Sequence, residues 1–207
     1  MERLTRPRLA TLLLLALCGA PAAAADLDLR LIDGANRPLA DAVVTVRPAG
    51  GIPARPISFP WGTTMVQKDI AFVPHVLIVP VGATVSFPNR DRVRHHLYSF
   101  SRPARFEMKL YGREETRSYT FTKAGTVALG CNIHDRMTGF IKVVDTPFAA
   151  ASDAQGRLRL TGLPAGAATM TIWHPGLRAR DNEQSSVVQV ARSGDVRTIA
   201  LPVRSAP

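Results

Sequence analysis

Short runs of alternating or β-branched residues, each closed by a turn signal, constrain this chain more than any other feature. "LDLRLID", "AVVTVRP", "HVLIVPV", "ATVSFPN", "HLYSFS", "RSYTFT", "GTVALG", "FIKVVD", "TMTIWHP", "SVVQVA" and "VRTIALPV" follow one another. Between them lie "DGANRP", "VGA", "KAG", "DAQG", "LPAG" and "RSGD". Alternation sends successive side chains to opposite faces of a strand, and Gly, Pro, Asn and Asp reverse the chain. Sustained helical periodicity is absent after the first residues, apart from a possible turn near "YGREETR". The chain is therefore expected to be all-β, and strands so short and closely spaced suggest sandwich architecture.

The N-terminus reads differently. Arg3, Arg6 and Arg8 precede the apolar run "LATLLLLALCGA", and small residues follow in "PAAAAD". This is the layout of a secretory signal peptide, with an apolar core too short to span a membrane. Residues 1–25 are assigned to it, with cleavage after Ala25, and the mature chain is expected in the periplasm. Bulky Leu17 before Cys18 argues against a lipid-anchored cysteine. No second long apolar run exists, so no membrane span is expected. Of the two cysteines only Cys131 lies beyond the signal, so the mature chain can form no internal disulfide. The formal net charge is +10. Its arginines are scattered and the compartment is exported, which disfavours nucleic acid and fits an acidic protein partner better.

Within the mature chain, "AGGIPARPISFPWGTT" is Gly/Pro-rich and reads as a connection between units. "LIDGANRPLADAVVTVRP" (31–48) resembles the opening of a carboxypeptidase regulatory-like β-sandwich, a small prealbumin-type module. The D-x-x-G turn and L-P-x-G step that continue such modules appear only at "SDAQGRLRLTGLPAGAATMTIWHPG" (152–176). The favoured division is a first part of an outer sandwich at 26–50, a linker at 51–64, a central domain at 65–147 and the second part of the outer sandwich at 148–207. Two unrelated flanking pieces packed on a central domain are the alternative.

The chemistry concentrates in "GCNIHDRMTG". Cys131-x2-His134-x2-Met137 offers a thiolate, an imidazole and a thioether, a set that selects copper over zinc or hard cations. Gly125, Gly130 and Gly139 bracket the stretch and strand-like "TVAL" and "FIKVV" flank it, so a loop rather than a helix face would gather the three side chains. A second imidazole lies upstream in "NRDRVRHHLYSF". His95 and His96 are neighbours in extended chain and point apart, so only one can readily share an ion with Cys131. Taken singly, a cysteine or a methionine is more often core than ligand. His75 and His174 are expected in ordinary packing or at the surface, and "RPAR" and "YGREETR" in solvated loops. "RVRHH" reads equally as an anion patch or as a basic rim around a metal site. No hydrolase partner set and no phosphate-cradling glycine loop is present, and one cysteine excludes a binuclear thiolate-bridged copper site.

Residues 66–145 resemble a cupredoxin, the amicyanin and plastocyanin type of blue-copper domain. The resemblance rests on "FVPHVLIVPVGATVSFPNRD", the N-x5-H step from Asn89 to His95, and "GTVALGCNIHDRMTGFIKV" with its amicyanin-like C-x2-H-x2-M loop. It implies one copper ion held by His95, Cys131 and His134, with Met137 as weak axial ligand. It also favours His95 over His96, and suggests the His134 edge as the exit for an electron. Three positions depart from the family pattern: His96 stands where asparagine usually follows the first ligand, Arg94 where proline often precedes it, and Leu129 where an aromatic is common. The implied function is a non-enzymatic periplasmic carrier of single electrons between redox protein partners. The alternative is a copper-binding or delivery protein without electron transfer. Proteins of this look are sometimes labelled methylamine-utilisation proteins.

Overall fold

The computed structural model describes residues 24–204. Most of the segment read as a signal peptide lies outside the described residues. Its last two, Ala24 and Ala25, pair with Pro164 and Leu163.

The molecule is all-β. Its strands are β1 (Ala24–Asp33), β2 (Val43–Pro48), β3 (Val66–Lys68), β4 (Ala71–Val73), β5 (Val76–Pro80), β6 (Thr84–Pro88), β7 (His95–Ser101) and β8 (Ala104–Tyr111). They continue with β9 (Thr116–Thr120), β10 (Gly125–Cys131), β11 (Thr138–Val144), β12 (Ala149–Ala151), β13 (Arg157–Pro164), β14 (Gly166–Trp173), β15 (Glu183–Val190) and β16 (Asp195–Leu201).

Strands from both ends of the chain build one sandwich. A sheet ordered β13-β1-β16 faces a sheet ordered β12-β2-β14-β15. Along β1 every second residue is buried, so Leu27, Leu29 and Leu31 point inward. They enter one apolar cluster with Val44, Val46 and Ile172 from the facing sheet. Each fully buried leucine of this kind contributes about 1.5–3 kcal/mol.

The middle of the chain builds the second sandwich. Its larger sheet is ordered β5-β11-β10-β7-β8. Opposite it lie the β6–β9 pair and the β3–β4 hairpin, joined by bridges between Thr64 and Ser86 and between Gln67 and Asn89. Leu77, Phe87, Leu97, Val127 and Ile141 fill its core.

Where the sandwiches meet, Val43, Ala149 and Trp173 of the first join Val76, Ile78 and Val144 of the second in one buried cluster. This contact explains a departure from alternation. In β5 the four residues Val76 to Val79 are all buried, because one face meets the central core and the other meets the outer sandwich. The linker crosses nearby, and its Trp61 Nε1 donates to the carbonyl of Ile78 at 2.8 Å.

Two expected loops need correction. "RPAR" does not stay in a solvated loop, since Ala104 opens β8 and is buried. Tyr111 of "YGREETR" closes β8, is fully buried, and donates its hydroxyl to the carbonyl of Phe87 at 3.0 Å. The strand "ARFEMKLY" was hidden because it lacks β-branched residues, carries three charges and loses its alternation after Met108.

Candidate metal centre

Cys131 is the last residue of β10, where pairing with Leu97 of β7 fixes its place at the end of the sheet. His95 opens β7, just ahead of Leu97, on a strand held against β10 and β8. The loop after Cys131 is short and tied down. Asn132 N–H donates to the carbonyl of His96 at 3.1 Å, and Met137 N–H donates to the carbonyl of His134 at 2.8 Å. The chain thus turns back into β11 with His134 over the cysteine.

Three donor atoms converge as a result. Cys131 Sγ lies 3.7 Å from His95 Nδ1 and 3.8 Å from His134 Nδ1, and all three atoms are within 4.8 Å of one another. His95 and Cys131 are buried, and His134 is half-buried. Metal–sulfur and metal–nitrogen bonds of about 2.3 and 2.05 Å, set at 120°, separate the donors by about 3.8 Å. At the tetrahedral angle the same bonds give about 3.6 Å. The observed S···N spacings are of the size that one ion bonded to all three donors would require. A thiolate with two imidazoles is a soft set, the kind that suits copper. Met137 is buried in the same apolar cluster as Cys131.

His96, the other candidate, is turned away. Its Nε2 meets Glu107 Oε1 at 2.8 Å on the outer face of the sheet. Its backbone carbonyl, rather than a side-chain amide, pins the loop at Asn132. His75 and His174 are not part of the cluster; His75 pairs with Asp41 at 3.0 Å.

Sequence reasoning missed Asp91. Its Oδ2 accepts from His95 Nε2 at 2.7 Å, while Oδ1 accepts from Asp69 N–H at 2.6 Å and Oδ2 from Ile70 N–H at 3.0 Å. Burial pushes this carboxyl up, but the hydrogen bonds from His95, Ile70 and Asp69 outweigh it and hold it below the usual range. An ionised Asp91 requires the proton of neutral His95 on Nε2, which frees the Nδ1 lone pair to face the sulfur. Asn89 shapes the turn behind it: Oδ1 accepts from Asp91 N–H at 2.8 Å, and Nδ2 donates to the carbonyls of Val93 and Tyr111 at 2.9 and 3.1 Å. The signal available in the sequence was an Asn and an Asp, both turn formers, just upstream of a histidine.

No family model matches the chain, and no curated protein sequence matches it. Solved structures are similar to part of it. One is a novel purple cupredoxin from Nitrosopumilus maritimus, 21% identical over 40% of this chain and 100% of that one, with a TM-score of 0.36. A reduced mutant of amicyanin is 24% identical over 50% of this chain and 99% of that one, with a TM-score of 0.37. A copper-containing nitrite reductase from Thermus scotoductus SA-01 is 31% identical over 47% of this chain and 25% of that one, at 0.38. The copper assignment rests on the donor geometry, since likenesses of this size concern only part of the chain.

Proposed function

We propose that this chain is an exported, mononuclear copper protein of the cupredoxin type that carries single electrons between protein partners. The observation that supports this is the convergence of Cys131 Sγ with the Nδ1 atoms of His95 and His134, at spacings that one ion shared by the three would require. Bound copper would supply one-electron chemistry there without any bond being made to a substrate. The protein's own task is to hold the donors still. His95 is fixed from behind by Asp91, Cys131 by the β7–β10 pairing, and His134 by the short loop. Met137 would be a fourth, weak holder of the ion, and half-buried His134 would offer the edge by which the electron leaves. The residues around the central sandwich belong to a carboxypeptidase regulatory-like module interrupted by the copper domain. A cleaved leader over residues 1–25 delivers the protein to the periplasm. No helix among the described residues is long and apolar enough to cross a membrane.

The test is metal analysis with visible spectroscopy on the wild type, Cys131→Ala, His95→Ala and His96→Ala. Cu(II) protein should be intensely coloured by thiolate charge transfer and bleach reversibly with a mild reductant. Colour should vanish in Cys131→Ala and His95→Ala and survive in His96→Ala. A colourless protein that takes up only Cu(I) would replace electron transfer by copper delivery. Small anions that shift the spectrum would instead reveal an open position, as an enzyme requires.

A further inference from the structure

The larger sheet of the central sandwich is covered unevenly on its outer face. Beyond β5, the outer sandwich also buries the end of β11, where four consecutive residues are inaccessible. On β7 the alternation returns: His95, Leu97 and Ser99 are buried, His96 and Tyr98 are half-buried, and Phe100 is 76% exposed. A serine inside and a phenylalanine outside is the reverse of what core packing demands, and such local conflicts concentrate at functional surfaces.

The outward residues form a row. His96 and Tyr98 have ring centroids 6.3 Å apart, and Tyr98 and Phe100 5.1 Å apart. On the neighbouring strand Arg105 stands opposite Phe100 and Glu107 opposite Tyr98. Arg94 and Lys109 line a shallow depression with His96 and Glu107, and Arg102 follows the far end of β7. Among the described residues, none of these four cations is in an ion pair. Glu107 is already engaged by His96.

The row also reaches the metal centre. Tyr98 pairs with Gly130 and Leu97 with Cys131. A methyl group at Gly130 would come within 2.8 Å of the Tyr98 ring carbon Cζ and its hydroxyl, so the far end of the ring lies against the residue that precedes Cys131.

We propose that this face, with Tyr98 and Phe100 at its centre and Arg94, Arg102, Arg105 and Lys109 around them, docks an acidic one-electron redox protein. The partner's redox character rests on the electron-carrier function proposed above; the shape and charge of the surface do not. Aromatic and arginine side chains dominate the energetics of protein interfaces. Unpaired cations on one face steer an anionic partner and make its binding salt-dependent. Docked here, the partner contacts the ring of Tyr98, whose strand partner Gly130 immediately precedes Cys131.

The experiment is an amide-shift titration of the labelled full-length protein with an acidic plant-type [2Fe–2S] ferredoxin as probe, at low and at high salt. Shifts should cluster at residues 96–100, 105–109 and 128–130, with affinity falling about tenfold or more at high salt. Phe100→Glu and Arg105→Glu should each weaken binding about tenfold or more and leave the visible spectrum unchanged. Shifts confined to Ile133 and His134, undiminished binding by Phe100→Glu, or binding to anionic phospholipid vesicles in place of the ferredoxin would each overturn the proposal. Repeating the titration on metal-free protein separates the two inferences. Retained binding at Phe100 by a protein that never becomes coloured removes the electron-carrier function and leaves the docking face standing.

Discussion

Asp91 grips His95 from behind, its Oδ2 accepting from Nε2 at 2.7 Å while the opposite nitrogen faces the sulfur of Cys131. The same carboxylate receives the backbone N–H groups of Asp69 and Ile70 at the tip of the β3–β4 hairpin. One side chain therefore ties a ligand ring to the opposite sheet.

Removing that grip should loosen the metal. Asp91→Ala is expected to lower copper affinity about 10–100-fold, the usual effect of losing a hydrogen-bond partner behind a ligating histidine. Asp91→Asn keeps one accepting oxygen and should lose less. Competition against a chelator measures both, with circular dichroism confirming the fold. Unchanged affinity in Asp91→Ala would refute the positioning role.

Two glycines near the site should respond unequally to a methyl group. At Gly139 an added Cβ meets Phe72 Cβ at 2.9 Å, and Phe72 is buried with its Cβ fixed to the backbone. Gly139→Ala should cost about 1–3 kcal/mol by overpacking. At Gly130 the obstacle is the far end of Tyr98, which can swing outward, so Gly130→Ala should cost less. Urea denaturation of both variants gives the comparison, and a reversed order would contradict this packing.

Lys142 is buried at the junction of the sandwiches, where it donates to Thr126 Oγ1 at 2.9 Å, pairs with Glu183 and lies 5.6 Å from the centre of the Trp173 ring. Deleting Glu183 strands a buried ammonium, but the glutamate side chain is 36% exposed and solvent screens part of the loss. Glu183→Ala is expected to cost about 1–3 kcal/mol. Lys142→Met removes the charge with its need for a partner and should stay within about 1 kcal/mol of the wild type. Equal losses in the two variants would show that the pair, rather than the orphaned charge, sets the stability.

His174 should make stability sensitive to mild acid. Its Nδ1 accepts from Gly176 N–H at 3.1 Å, so a neutral ring fits the site. Burial pushes its pKa below the ordinary value, against the opposing pull of Asp41 and the Ala40 carbonyl. The unfolded chain then takes up a proton first as pH falls. The stability held in neutral His174 is complete above about pH 6.5 and is lost progressively below it. Urea midpoints measured from about pH 8 to about pH 5 should fall more steeply for the wild type than for His174→Asn. Parallel curves would exclude His174 as the source. Comparing the two proteins cancels the titration of the metal-site groups, which both retain.

The all-β class was legible because turn residues punctuate nearly every apolar run, and strand period survives in short windows. Strand β8 was not, since the residues that "ARFEMKLY" buries, Ala104, Met108 and Tyr111, are neither β-branched nor evenly spaced, and only contact with β7 and the core makes it a strand. Asp91 could be seen as a turn former, but not as a partner of His95, because its other hydrogen bonds come from a hairpin distant in sequence.

The sequence alone determined the donor types and their spacing in the loop after β10, and that His95 and His96 must point apart. It did not decide which of them faces inward. By apolar weight, the face of β7 holding His96, Tyr98 and Phe100 competes with the one holding His95, Leu97 and Ser99. Pairing of Leu97 with Cys131, and burial of Leu97 under β8 and β10, settled the parity. A one-residue shift would exchange every side chain between core and solvent, so the register between strands, a property of the assembled sheet, chose the inward imidazole and left the aromatic row outside.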